Sequence, residues 1–360
     1  MLTDAGSLRR EGGREGGPPG CRGGSHAVGP ARDTPMVFFS CDWGSSSFRL
    51  RAVDRSTGLV LGERRSTAGS STLLPPGATA AVRAAEFARR LQEEVLALDP
   101  GRTWSTSPVV ASGMVTSAHG WLELPYARTP LPLDGTGLVS RRQRLPDGRE
   151  VVLVSGLTDG QDVMRGEECE LLGLARWSDW PAVAPAGRAT VILPGTHCKH
   201  VQVDAGKVCG FRTYLTGELY DLLRRHSVLR HSLPPLDAPG GPLDLPALTE
   251  GVQCVRRVGL LAALFQVRTG TLLRGLSPAA AEGFLNGVLV GAEFAGCCAD
   301  PARPLVLSAG ERASALYAAG LRALGLGECL HLVPPAVAAA LTVSGHAAVL
   351  AALAGQEEST

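Results

Sequence analysis

Between Ser155 and Gly173 the chain reads SGLTDGQDVMRGEECELLG, which places Asp159, Asp162, Arg165, Glu167 and Glu168 within ten residues, directly after an apolar run. Carboxylates clustered in this way can take a proton from an attacking hydroxyl, and an arginine among them can hold a carboxylate through two parallel hydrogen bonds. The same acids also suit the first turn of a helix, where the helix dipole favours negative charge. Adjacent helical residues point about 100° apart, so only one of Glu167 and Glu168 is expected to face a cleft.

A second stretch, ILPGTHCKHVQVDAGKV from Ile192 to Val208, holds both lysines of the chain, Lys199 and Lys207, although Lys and Arg together number 35. An apolar run, the small-residue loop Gly195-Thr196-His197-Cys198, alternating residues and the turn Asp204-Ala205-Gly206 read as strand, tight loop, strand. Such a loop can aim backbone N–H groups and a hydroxyl at one point, and an ammonium just beyond it adds a compact charge suited to phosphate. An ordinary hairpin whose lysines survived an arginine-rich codon bias accounts for the segment too, and for Lys207 that is the better explanation.

The same plan occurs earlier. Val37 to Cys41 is apolar but for Ser40, Asp42-Trp43-Gly44-Ser45-Ser46-Ser47 is a loop, and Phe48, Leu50 and Ala52 alternate up to the turn at Asp54. Gly44 to Asp54 is ten residues and Gly195 to Asp204 is nine, with the two copies about 150 residues apart. This spacing points to a duplicated domain rather than a short repeat. Two small-residue loops facing each other would grip a polyphosphate from both sides, and Asp42 at the head of the first would hold Mg²⁺ directly or through water; an Asx turn ending a strand is the plainer role for Asp42. In GMVTSAHGWLELPY (Gly113 to Tyr126), Ser117, His119, Trp121 and Tyr126 are candidates for a sugar pocket, although core packing explains the aromatics equally well.

Elements must position these groups. Ala84, Phe87, Leu91, Val95 and Leu98 recur at helical spacing and stop at Asp99-Pro100-Gly101. PVVASGM (108–114), EVVLVSGLT (150–158) and PLVLSAG (304–310) are β-branched runs ending in loops, Thr216 opens a helix, and Ser277-Pro278 opens another with Ser as cap. The segment 178–189 is rich in Pro and Ala and marks a boundary, giving domains 36–183 and 184–360, while 233–246 reads as a long surface loop. Residues 1–35 are rich in Gly, Arg and Pro and read as a disordered tail, with Met36 a candidate start.

Composition narrows the function. Of 360 residues 44 % are hydrophobic and 19 % charged, the net charge is +1, and nucleic-acid or membrane-surface binding has no support in that balance. Nine cysteines without CxxC pairs fit a reducing cytoplasm. The Ala-rich stretch 336–353 is interrupted by Thr342, Ser344, Gly345 and His346, and reads as a buried helix rather than a membrane span.

Taken together, CDWGSSSFRL, SGMVTSAHGW, DVMRGEECELLG, LPGTHCKHVQV, FRTYLTGELYDLLRRHSVL and FLNGVLVGAEF resemble, in order and spacing, the 2-dehydro-3-deoxygalactonokinase family from about Val37 to at least Gly310. The resemblance implies an α/β fold of two duplicated actin-like (ribonuclease H-like) domains with a ligand cleft between them. It further implies transfer of the ATP γ-phosphate to the terminal hydroxyl of 2-dehydro-3-deoxy-D-galactonate, giving the 6-phosphate in galactonate breakdown. By motif, Gly44, Ser45 and Ser46 match the first phosphate loop, with Asp42 for Mg²⁺; Gly195, Thr196 and Lys199 match the second, and Gly310 a nucleotide loop. Arg165 is the first choice for the acceptor's carboxylate, Arg49 and Arg212 the second, with Ser117 and His119 nearby; Glu167 is preferred over Asp162 as catalytic base. His200 stands where relatives commonly have Trp, which implies altered packing. The partner expected is a small sugar acid, with a homodimer compatible. A kinase for 2-dehydro-3-deoxygluconate or another sugar acid, and a non-catalytic sugar-acid or nucleotide sensor, are the alternatives.

Overall fold

In the computed structural model, which describes residues 36–74, 77–238, 241–295 and 303–357, the first apolar run becomes β1 (Val37–Trp43), and the tail expected over 1–35 lies outside the described residues. β1 pairs antiparallel with β2 (Phe48–Asp54) and β2 with β3 (Val60–Ser66). Asp54 ends β2 with an Asx turn, its Oδ1 accepting from the Ser56 and Thr57 N–H groups. Helix α1 (Ala80–Leu98), capped by Thr79 and burying Phe87, Leu91 and Val95, carries the chain back so that β4 (Val109–Gly113) lies parallel to β1. After the short β5 (Ala127–Arg128) and β6 (Leu131–Pro132), β7 (Ser140–Arg144) folds onto β8 (Glu150–Val154), which extends β4 in parallel. β9 (Leu157–Thr158) and β10 (Val163–Met164) form a small sheet with β5, and α2 (Glu167–Leu174) follows.

Past a helical turn, α3 (Trp180–Val183), the plan repeats. β11 (Ala189–Leu193), β12 (Cys198–Asp204) and β13 (Lys207–Tyr214) are an antiparallel trio. Ala205 and Gly206 join β12 to β13 with φ of 49° and 70°, the paired left-handed turn that suits strand twist. Helices α4 (Thr216–His226), α5 (Leu245–Val258), α6 (Leu260–Arg274) and α7 (Pro278–Ala295) lead to β14 (Leu305–Leu307), parallel to β11. α8 (Glu311–Ala323) then leads to β15 (Leu330–Leu332), parallel to β14. The sheet orders β3-β2-β1-β4-β8-β7 and β15-β14-β11-β12-β13-β6 share one pattern: an antiparallel trio whose first strand is extended by two parallel strands, β4 and β8 in one sheet and β14 and β15 in the other. This is the doubled α/β plan expected from the two strand-loop-strand copies.

The chain closes with α9 (Pro335–Ala338) and α10 (Leu341–Glu357), and α10 packs on α2, β1 and β4, so the last helix rests on elements from the first half. Glycines allow the approach: a Cβ on Gly345 would lie 1.9 Å from the Cys169 carbonyl oxygen. His346 of α10 bridges the two strands, with Nδ1 2.8 Å from Ser40 Oγ and Nε2 2.9 Å from Ser112 Oγ. Burial holds its pKa down to about 3, so the imidazole is neutral, one nitrogen donating and the other accepting. Phe38, Val110, Leu171, Trp180, Val191, Val201 and Val343 belong to one buried cluster that runs between the two sheets. Among the described residues no helix is long and apolar enough to cross a membrane.

Candidate active site

Both loops have carbonyls taken up by hydrogen bonds. In the first, the Gly44 carbonyl accepts from Ser70 N–H at 3.0 Å and the Ser45 carbonyl from Ser71 N–H and Oγ at 3.1 and 2.6 Å, while Ser45 and Ser46 stay exposed. In the second, the carbonyls of Gly195, Thr196 and His197 accept from Cys198 Sγ, Glu218 N–H and Lys199 Nζ, and Gly195 and Thr196 are exposed. Loops whose carbonyls are occupied in this way leave N–H groups and hydroxyls for an anion, although the Gly44 N–H is taken by the Ser47 carbonyl at 2.9 Å.

An ion pair joins the second loop's strand to the acidic helix of the first half. Lys199 Nζ lies 2.9 Å from Glu167 Oε1, the lysine side chain only 4 % exposed and the glutamate 24 %. Glu167 Oε2 accepts the Arg165 backbone N–H at 3.0 Å, so both oxygens are oriented. Glu168, next along, turns the other way and folds both oxygens onto the Gly166 N–H at 2.9 and 2.7 Å. Lys199 and its neighbour His200 likewise point to opposite faces of β12, as alternation demands. His200 Nε2 lies 2.8 Å from Glu293 Oε1, and Glu293 Oε2 accepts from Thr216 Oγ1 at 2.5 Å and Tyr317 Oη at 2.7 Å. His200 thus sits in a buried polar network.

Asp42 stands at the end of β1, opposite Arg49 on β2 and beside Ser112 on β4. Burial pushes its carboxyl pKa up, against the pull of Arg49 and Arg51, and the Glu167 charge adds to the rise. Its carboxylate makes no hydrogen bond or ion pair among the described residues. Gly113, at φ 90°, closes the adjoining strand; a Cβ there would lie 2.8 Å from the Trp43 carbonyl oxygen, so a side chain would displace the strand end that carries Asp42.

Other expected residues fall elsewhere. Asp162 is a clamp: its oxygens accept from the Thr213 N–H at 2.6 Å, Thr213 Oγ1 at 3.0 Å and the Val163 N–H at 2.7 Å, which ties the small sheet to β13. Arg165 donates to the Thr116 carbonyl and Oγ1 at 2.6 and 2.7 Å and lies 4.3 Å over the Tyr126 ring, so its guanidinium is already engaged. Ser117 Oγ donates to the Met114 carbonyl at 2.8 Å, His119 and Arg212 are exposed, and Trp121 is a core residue. Lys207 is exposed at the far end of the hairpin. Gly310 precedes α8, with open space where its side chain would be.

Beside Gly195 lies a cavity of about 350 Å³ between the second loop and α4, α7 and α8, walled largely by apolar groups such as Leu289, Val290 and Leu316, with Thr216 and Tyr317 from the buried network. Two contributors were absent from the sequence reading. Glu170 is held up to about 8 by burial and by the charges of Glu167 and Asp42, against Arg49 and Lys199, which places it in the same charge cluster. Its position three residues after Glu167 on one helix was the available signal. Glu293 had none, since it directly follows the apolar and small residues 287–292 of α7.

The buried acids make stability depend on pH. Burial pushes Glu168 from an ordinary 4.5 up to about 8, with Glu167 adding and the Gly166 N–H and Arg165 opposing. An acid that holds its proton longer in the fold contributes fully below its unfolded pKa, and the contribution is lost as pH rises through the folded one. Glu168→Gln is therefore expected to flatten the fall in stability between about pH 4.5 and about pH 8. Urea midpoints across that range check it; an unchanged slope would remove Glu168 as the source.

A family model described as 2-keto-3-deoxy-galactonokinase matches residues 42–343. The protein named probable 2-dehydro-3-deoxygalactonokinase of Rhizobium meliloti (strain 1021) is 36 % identical over 275 residues, 74 % of this chain and 82 % of that protein. The 2-dehydro-3-deoxygalactonokinase of Escherichia coli (strain K12) is 34 % identical over 295 residues, 80 % of this chain and 90 % of that one. The crystal structure of a proposed 2-dehydro-3-deoxygalactonokinase from Sinorhizobium meliloti superposes with a TM-score of 0.69 at 33 % identity, over 87 % of this chain and 99 % of that chain.

Proposed function

The chain belongs to the 2-keto-3-deoxy-galactonokinase family, and from that premise we propose that it transfers the γ-phosphate of ATP to the terminal hydroxyl of 2-dehydro-3-deoxy-D-galactonate, with Lys199 and Glu167 at the point of transfer. The observation that carries this reading is the 2.9 Å pair between them, which brings the second loop's cation onto the acidic helix of the first half, within the charge cluster of Asp42. Phosphoryl transfer chiefly needs its phosphates gripped, its charge neutralised and its acceptor hydroxyl oriented. Gly44, Ser45 and Ser46 face the phosphates from one side, and Gly195, Thr196 and Lys199 from the other. The cavity beside Gly195, apolar in much of its wall, suits a nucleobase. Glu167, oriented by Lys199 and the Arg165 N–H, accepts the acceptor's proton.

Magnesium would supply charge neutralisation on the nucleotide. Asp42 would hold it, directly or through water; a strand-end carboxylate with no hydrogen bond or ion pair among the described residues fits a hydrated cation. The free thiols of Cys41, Cys169 and Cys198 suit the reducing cytoplasm in which galactonate breakdown would place the enzyme.

Coupled ADP release over a panel of 2-keto-3-deoxy sugar acids, with and without Mg²⁺, tests the proposal. The expected result is Mg²⁺-dependent turnover that is fastest on the galacto epimer. Turnover on no member would leave the family's sensor alternative in its place.

A further inference from the structure

Arg49 of β2 and Arg65 of β3 stand directly opposite each other in the antiparallel ladder. Like charges so placed repel unless something negative lies by them. Of the two acids close by, Asp42 faces Arg49 from β1, and Glu63 is shared, accepting from Arg51 Nε at 2.5 Å and also pairing with Arg65, while Arg51 donates further to the Ala339 carbonyl. Arg49 is left half-buried, and its guanidinium makes no hydrogen bond or ion pair among the described residues. Both arginines line a cavity of about 370 Å³ with Asp42, Ser47, Ser66 and Thr67.

We propose that this cavity seats the sugar-acid acceptor, with Arg49 and Arg65 holding its carboxylate and the hydroxyls of Ser47, Ser66 and Thr67 facing its polar groups. The inference rests on the kinase reading and relocates the carboxylate from Arg165, whose guanidinium is engaged by Thr116 and Tyr126. Geometry favours the acceptor over the nucleotide. The cavity at the arginines is walled by residues of β1 to β3 and their flanking loops, whereas the cavity beside Gly195 is walled by the second half. Arg65 lies two strands out from Asp42, roughly 10 Å at ordinary strand spacing, which leaves room for a six-carbon acid to extend from the arginines to the transfer point.

Arg49→Gln and Arg65→Gln should each raise KM for the sugar acid about 10-fold or more, the effect of losing a charge-assisted hydrogen bond, with KM for ATP changed less than about twofold. The carboxamide analogue of the acceptor should bind wild type more weakly than the acid by calorimetry, and Arg49→Gln should erase that preference. Arg65 is largely exposed, so its variant guards against misfolding of the other. A rise in KM for ATP alone would assign the arginines to phosphate and overturn the proposal, as would variants that leave both constants unchanged. If wild type turns over no sugar acid, the kinase reading fails by itself; loss of calorimetric acid binding in the variants would still support the carboxylate site, and intact binding would overturn it.

Discussion

Lys199→Met is expected to lower kcat about 10²- to 10³-fold, the usual cost of losing one preorganised charge that faces a developing negative group. Lys199 is the chain's buried lysine, and its ammonium is fixed by the His197 carbonyl at 3.0 Å as well as by Glu167. Lys199→Arg should not restore the rate, because a planar guanidinium is wider and would need the second loop to shift. Steady-state kinetics check both variants, with thermal unfolding alongside. A kcat within a few-fold of wild type for Lys199→Met would reduce the ion pair to an interdomain tie.

Glu167→Gln should lower kcat by about 10²-fold or more, since it removes the proton acceptor while keeping the side chain's shape, and its single amide oxygen can serve only one of the two donors, the Arg165 N–H and Lys199 Nζ. The amide can still accept the Arg165 N–H, so KM values should move far less than kcat. The double variant with Lys199→Met separates catalysis from architecture. If the pair served stability alone, removing both charges would recover much of what either single change loses; for a catalytic pair, activity stays low. An unchanged kcat in Glu167→Gln would pass the role to Glu170, which shares the charge cluster.

Much of this was legible in the residues. Periodicity places α1 almost to its ends, the Ser277-Pro278 start heads α7, and the two strand-loop-strand copies foretell the matching sheets, because alternation and turn chemistry are local. Long-range register was not legible: nothing near Asp162 announces that Thr213, 51 residues away, will take its oxygens. The same holds for Arg165 and the Thr116 hydroxyl, and for His346 between Ser40 and Ser112. α5 and α6 went unforeseen because exposed Leu261, Phe265 and Leu273 blur the apolar stripe of α6. The pairing of Lys199 with Glu167 joins two motifs that the sequence singled out separately.

The central claim, phosphoryl transfer to the acceptor's terminal hydroxyl at the Lys199–Glu167 pair, is read most directly by ³¹P NMR of the products formed from ATP, Mg²⁺ and 2-dehydro-3-deoxy-D-galactonate. Wild type is predicted to give a phosphomonoester resonance split into a triplet by two methylene protons, and Lys199→Met to give none over the same interval. Inorganic phosphate alone, or a doublet from a single methine proton, would contradict it.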